Sequence, residues 1–359
     1  MADKAKVYYS SLENDPTQSP LNKIKRLMES CGAKNTYEKG DLVAIKVHFG
    51  ELGNAAFLRP IYLRPVIDTV KQYGGNPYLV DTNTLYIGMR SNTVNHLHNA
   101  SLNGFNYSTL QVPVVIADGL RGQNSVELPV PNGKLKKRAI IASDIASADA
   151  LVLISHFKGH AFAGYGGAIK NLAMGCASRA GKLDMHSVSK PSVNTSVCVG
   201  CGKCKNQCRE QAIELNAQKA TITDKCVGCV RCVGVCPVHA IQTKMDNSKE
   251  DLQKSMTEYA AAVINSFNKP VICVNVLESI VPSCDCMPGN DAPVCPDIGF
   301  VASTDPVALD QASYDLMKKV SGGKDPLAER HDGMTGEVQL IHAETISFGT
   351  RSYELITQK

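Results

Sequence analysis

Eight of the chain's fourteen cysteines fall in two runs of identical spacing, Cys198-x2-Cys201-x2-Cys204-x3-Cys208 and Cys226-x2-Cys229-x2-Cys232-x3-Cys236. Thiolate sulfur is a soft ligand. Two-residue gaps let three sulfurs converge from one tight loop, and the fourth arrives from further along the chain. The rival use of such cysteines is tetrahedral zinc. Zinc sites favour paired two-cysteine knuckles with longer spacers, whereas an unbroken three-plus-one run occurring twice favours iron–sulfur cubanes. The 28 residues that separate Cys198 from Cys226 also separate Ala212-Ile213 from Ala240-Ile241, so one small unit is duplicated.

This spacing is similar to that of two-cluster bacterial ferredoxins, in which the fourth cysteine of each run serves the other cluster. Carried over, the rule gives one [4Fe–4S] cluster to Cys198, Cys201, Cys204 and Cys236, and the other to Cys208, Cys226, Cys229 and Cys232. Pro237 follows the second run as in that pattern, while Arg209 stands where the first run would have proline. Between Thr195 and Met245 lie seven basic and three acidic residues, so the chain's whole net charge of +4 sits in this segment. Two oxidised cluster sites with their thiolates would contribute about −4 and neutralise it. That confinement argues against a nucleic-acid surface.

A second constellation follows an apolar strand pattern at Ala150 to Ser155. His156, Lys158 and His160 come first, then Gly164, Gly166 and Gly167, then Lys170 at the opening of a helical pattern, with Lys182 and His186 soon after. Strand ends in open α/β sheets are where ligands bind, and a glycine loop before a helix lets backbone amides approach an anion. The expected role is a catalytic or anion-binding pocket for a small anionic substrate, with the cations positioning it and donating protons. The bland reading is a tight turn with structural histidines. No dinucleotide fingerprint follows a strand; flavin sites need no fixed short motif, so flavin stays open.

Cys284-Asp285-Cys286, with Cys295 in the same Pro- and Gly-rich loop and Cys176 elsewhere, forms the third group. Cys284, Cys286 and Cys295 can ligate a third cluster or a single metal, with Cys176 or a histidine as the fourth ligand; otherwise all pack as small apolar residues. Cys31 and Cys273 read as core.

With 43% apolar and 20% charged residues, the chain has ample material for a core, which excludes disordered and fibrous classes. No window approaches the length of a membrane span, and clustered cysteines used for metal suit the reducing cytoplasm. The pattern predicts strands at Leu42–Phe49, 78–81, 113–117, 150–155 and 270–277. Helices are predicted at 61–73, 252–267 and 306–320, the last with Asp305 as N-cap and Pro306 at the first helical position. Such alternation implies a doubly wound α/β domain with a largely parallel sheet. It spans residues 1–190 and 247–359 and is interrupted by the cysteine module at 191–246.

Five further stretches complete the reading: Gly40 to Glu51, His156 to His160, Gly164 to Cys176, Pro282 to Cys286 and Asp297 to Asp310. With them nearly the whole chain resembles the DUF362 family of iron–sulfur proteins. The resemblance implies an α/β domain with an inserted ferredoxin-like module, but no established reaction. The expected function is an iron–sulfur oxidoreductase. Its module, served by a redox partner protein, passes low-potential electrons to the α/β domain. The alternatives are a non-catalytic electron carrier and a metal or cluster chaperone.

Overall fold

The computed structural model describes residues 4–13, 15–86, 88–186, 190–208, 210–226, 231–242 and 248–358. Its central sheet contains β1 (Ala5–Ser11), β2 (Leu42–Lys46), β3 (Asn76–Asp81), β4 (Val114–Ile116), β5 (Ala150–His156), β6 (Ile272–Leu277), β7 (Gly299–Ser303) and β8 (Tyr353–Thr357). Their spatial order is β8-β1-β7-β6-β5-β2-β3-β4. β7 runs antiparallel to both neighbours, and the other pairs are parallel.

Continuous apolar runs become central strands because both faces of a mostly parallel sheet are covered. All seven residues of β5 are buried. Alternate side chains then divide between two cores. Ala44, Leu151, Leu153 and Cys273 join one with residues from helices Ala168–Cys176, Lys249–Asn265 and Pro306–Val320. Val43, Ile45, Val152, Ile154 and Val274 join the other with residues from helices Pro20–Ser30 and Leu63–Gln72.

Chain direction creates the crevice. From β2 the chain steps to β3 and β4, then returns to place β5 on the opposite side of β2. The carboxyl ends of β2 and β5 therefore flank a topological switch point, where outgoing connections diverge and leave room for side chains.

Strands from before and after residues 190–242 share this sheet, since β6 pairs with β5 from Ile272↔Val152 to Val276↔His156. The intervening segment makes its own small sheets, Ser192–Val193 with Ile241–Gln242 and Ile213–Asn216 with Lys219–Ile222. Its separate core includes Cys198, Cys204, Ile213, Ala220, Cys232 and Ile241. Cys229 and residues 243–247, where the downstream limit of the cysteine module falls, lie outside the described residues.

Helix Pro306–Val320 begins as its sequence implies, with the Asp305 side chain accepting from Val307 and Ala308 N–H. β2 stops at Lys46 rather than Phe49, because the chain there leaves the sheet toward the crevice. β1, β7 and β8 were not anticipated. β8 is a half-exposed edge strand whose polar residues mask the strand signal.

Candidate functional site

β5 ends at His156, and the chain turns straight into a hairpin of Lys158–His160 with Gly164–Gly166. The loop after β6 packs on this hairpin. Gly159 N–H donates to Val281 O at 2.8 Å, and a Cβ on Gly159 would lie 2.1 Å from Pro282 O. Glycine is what allows the approach. Beyond it, Met287 N–H donates to Cys284 O at 2.9 Å and closes a turn carrying Cys284, Asp285 and Cys286.

Asp285 pins that turn. Its carboxylate, fully buried, meets His156 Nδ1 at 2.9 Å and Lys158 Nζ at 3.2 Å. Burial alone would raise its pKa, but the His156 and Lys158 charges hold it well below the usual carboxylate range. His156 Nε2 faces the carbonyl oxygens of Glu278 and Ser279 at 2.9 and 3.2 Å, so both ring nitrogens are already engaged. His156 and Lys158 thus position the turn. Glu51 N–H donating to Asp285 O at 2.9 Å ties it also to the segment after β2.

Above Asp285, one donor atom each from His160, Cys284 and Cys286 lie within 4.8 Å of one another. Lys170 Nζ stands 3.3 Å from Cys284 Sγ. A hydrogen bond from Cys286 and the charge of Lys170 hold the Cys284 thiol well below its ordinary range despite burial. The same bond, with burial, pushes Cys286 well above it. Burial opposes the Lys170 charge, yet Cys284 and Cys286 keep its pKa raised. His160 is pushed down to about 3 by burial and by Lys170, and its Nδ1 accepts from Phe162 and Ala163 N–H at 3.2 Å each.

The remaining sequence candidates are distributed differently. The helix N-terminus behind Gly164, Gly166 and Gly167 takes its anion from within the fold. Asp310 accepts from Ala168 and Ile169 N–H at 2.7 and 2.9 Å, and a Cβ on Gly167 would meet that carboxylate at 2.4 Å. Gly164, at φ +72°, instead packs against the backbone of Thr335 and Gly336. Lys182 is buried beneath β3, donating to Thr82 Oγ1 and Ala177 O at 2.5 and 2.6 Å, and burial lowers it to about 8. His186 ends helix Arg179–His186, where burial and Lys170 depress it to about 4.

Of the four cysteines grouped by sequence, Cys284 and Cys286 meet and the other two stand apart. Cys176 is buried against Asn171 O at 3.8 Å, its thiol pushed up to about 12 by burial. Cys295 packs against the main core, its thiol raised to about 11 by burial and by Asp297. Residue type suggested a group of four cysteines that the fold does not assemble; a histidine, the alternative ligand, stands with Cys284 and Cys286.

Sequence reasoning missed the other wall of the crevice. Arg90, 2% exposed, meets Glu51 Oε2 at 3.1 Å and His48 Nε2 at 3.0 Å, and donates to Tyr86 Oη. Lys46 meets Asp81 Oδ1 at 3.0 Å and donates to Asn171 Oδ1 at 2.8 Å. The signal was available in Lys46-x-His48-x2-Glu51, which leaves β2 at the strand end beside β5.

Within the inserted segment, Cys198, Cys201, Cys204 and Cys236 line one cavity together with Gly200, Pro237 and Ile241. The duplication is visible in the backbone. Ala212 N–H donates to Cys208 Sγ and Ala240 N–H to Cys236 Sγ, both at 3.2 Å, and Gln211 and His239 share positive φ values of 48° and 51°.

A mostly parallel sheet with thiols, imidazole and buried ion pairs at its switch point defines a mixed α/β protein with a Cys/His group suited to soft metals or thiol chemistry. The chain belongs to the family described as a domain of unknown function (DUF362), whose model matches residues 43–315. No curated protein matches it. Among solved structures, the lactate racemase apoprotein from Thermoanaerobacterium thermosaccharolyticum is similar at 13% identity and a TM-score of 0.45, over 88% of this chain and 57% of that one. A protein from Thermotoga maritima is similar at 10% identity and a TM-score of 0.43, over 87% and 60%. The chain thus spans less than two thirds of either. Among the described residues, no helix is long and apolar enough to cross a membrane.

Proposed function

We propose that this is an iron–sulfur redox protein in which residues 191–246 hold two [4Fe–4S] clusters and the crevice of the α/β domain receives their electrons. The observation that carries the reading is the cavity shared by Cys198, Cys201, Cys204 and Cys236. Three sulfurs from one run and the fourth from the other is the ligand set that the duplicated spacing requires. Backbone N–H groups directed at Cys208 and Cys236 would offset thiolate charge, as amides around such clusters do. Clusters of this type supply single low-potential electrons.

The chain's own residues link the two parts. The short helix Arg231–Val235, which carries Cys232, packs against helix Arg179–His186. His186 at its end senses the charge of Lys170, and Lys170 contacts Cys284. The module thus abuts the helix whose last residue feels the Lys170 charge at the crevice. On the outer side, exposed Cys201 is flanked by Val197 and Val199, 44% and 60% exposed, where a redox partner protein would meet the module.

Anaerobic iron and acid-labile sulfide analysis with electron paramagnetic resonance tests the proposal. About eight irons and eight sulfides per chain are expected; a zinc-only result would refute it. Replacing His160 distinguishes an oxidoreductase from a plain carrier, because only the former loses turnover while its cluster spectrum persists.

A further inference from the structure

We propose that Cys284 and Cys286 form a redox-active dithiol–disulfide couple, reduced by single electrons from the inserted module and oxidised by a small disulfide acceptor. The inference rests on the proposed function for its source of electrons; the thiol chemistry stands on geometry of its own.

The turn closed by Met287 N–H and Cys284 O carries both cysteines, and their sulfurs lie within 4.8 Å of each other. Asp285 between them is held by His156 and Lys158 through its carboxylate and by Glu51 through its carbonyl, so the turn stays in place while a bond forms across it. A disulfide spanning one residue closes a small strained ring, and strained disulfides are the labile, catalytic kind. Lys170 at 3.3 Å stabilises Cys284 as a thiolate, and Cys286 is the partly accessible member of the pair while Cys284 is 4% exposed. That exposure favours a small acceptor over a folded protein.

The surroundings favour thiol chemistry over a bound metal. His160 Nδ1 accepts two backbone N–H groups, so a neutral ring carries its hydrogen on Nε2 and keeps no free lone pair for a metal. Lys170 already supplies the Cys284 sulfur with a counter-charge, the place that a metal ion would take.

The chemistry balances. In oxidation, the Cys284 thiolate attacks one sulfur of the acceptor, and the acceptor's first thiolate leaves. The Cys286 sulfur then attacks the Cys284 sulfur, the mixed disulfide breaks, and the Cys286 proton goes with the second leaving thiolate. In reduction, the Cys284–Cys286 disulfide takes two electrons and one proton, giving the Cys284 thiolate beside Lys170 and the Cys286 thiol. Two one-electron sites in the module match this two-electron demand.

The test is peptide-resolved mass spectrometry on the anaerobic holoprotein. After treatment with oxidised glutathione, the peptide containing both cysteines should be about 2 Da lighter, with a Cys284–Cys286 linkage. A low-potential one-electron reductant should restore the dithiol in the holoprotein but at least tenfold more slowly in the Cys204→Ser, Cys232→Ser double variant, while a phosphine restores it equally in both. Equal reduction without the clusters would keep the couple and remove the proposed electron supply. A pair that stays reduced under the oxidant, or that holds a stoichiometric metal released by Cys286→Ser, would overturn the inference.

Discussion

The ammonium nitrogen of Lys170 lies 3.3 Å from the sulfur of Cys284, a contact across 114 positions of sequence. It joins the first helical turn after the hairpin to the loop after β6, two segments that meet because β5 and β6 are paired. In a buried setting the two charges need each other. Removing one strands the other away from water.

Lys170→Met should therefore slow alkylation of Cys284 about tenfold at pH 7, because the buried thiolate loses the ammonium group beside it. Lys170→Arg should retain most of the rate. Peptide-resolved alkylation kinetics read both variants, and equal rates in wild type and Lys170→Met would rule the contact unimportant.

Asp285→Asn leaves Lys158 and His156 facing a neutral amide in a buried site. The expected cost is about 3–5 kcal/mol, as for other buried pairs broken on one side. Urea denaturation measures it; a loss below about 1 kcal/mol would mean that the pair is solvated rather than buried.

The histidines make stability depend on pH. Burial and Lys170 lower His160 to about 3 and His186 to about 4, against an ordinary value of 6.5. Between those limits the unfolded chain binds more protons than the folded one. The stability associated with neutral imidazole is thus complete above about pH 6.5 and lost as pH falls toward 4, by up to about 1.4 kcal/mol per pH unit for each histidine. Unfolding midpoints from pH 7 to 4.5 should show this slope, and His186→Gln should flatten it.

Gly159→Ala inserts a methyl group 2.1 Å from Pro282 O. The loop must retreat, carrying Cys284 and Cys286 away from His160 and Lys170. Both a lower melting temperature and slower alkylation of Cys284, parted from Lys170, are expected, while iron content, which depends on a separate segment, stays unchanged.

Cys236→Ser tests the crossed ligand sets. Cys236 ends the second run but lines the cavity of the first, so the cluster lost should be the one served by Cys198, Cys201 and Cys204. About four irons should remain, and Cys226, Cys229 and Cys232 should still resist alkylation in the native protein. The opposite protection pattern would exchange the assignments.

The duplicated cysteine runs and the buried strands were legible without coordinates. Ligand spacing within one loop is a local property, and a strand covered on both faces records its burial in an unbroken apolar run, as in β2, β5 and β6. Sequence also marked His160, Lys170, Cys284 and Cys286, through the strand-end position of the first two and the Cys-x-Cys pattern of the others. It grouped Cys176 and Cys295 with the last pair because only residue type and, for Cys295, chain proximity were available. The register β6–β5 and the close approach at Gly159 decide instead that His160 and Lys170 meet Cys284. Tertiary structure likewise gave the glycine-loop helix its own carboxylate, Asp310, and buried Arg90 against Glu51 and His48. Composition and spacing report what each segment can bind or bury; which charges share a crevice depends on strand order, and strand order is settled by contacts between residues far apart in the chain.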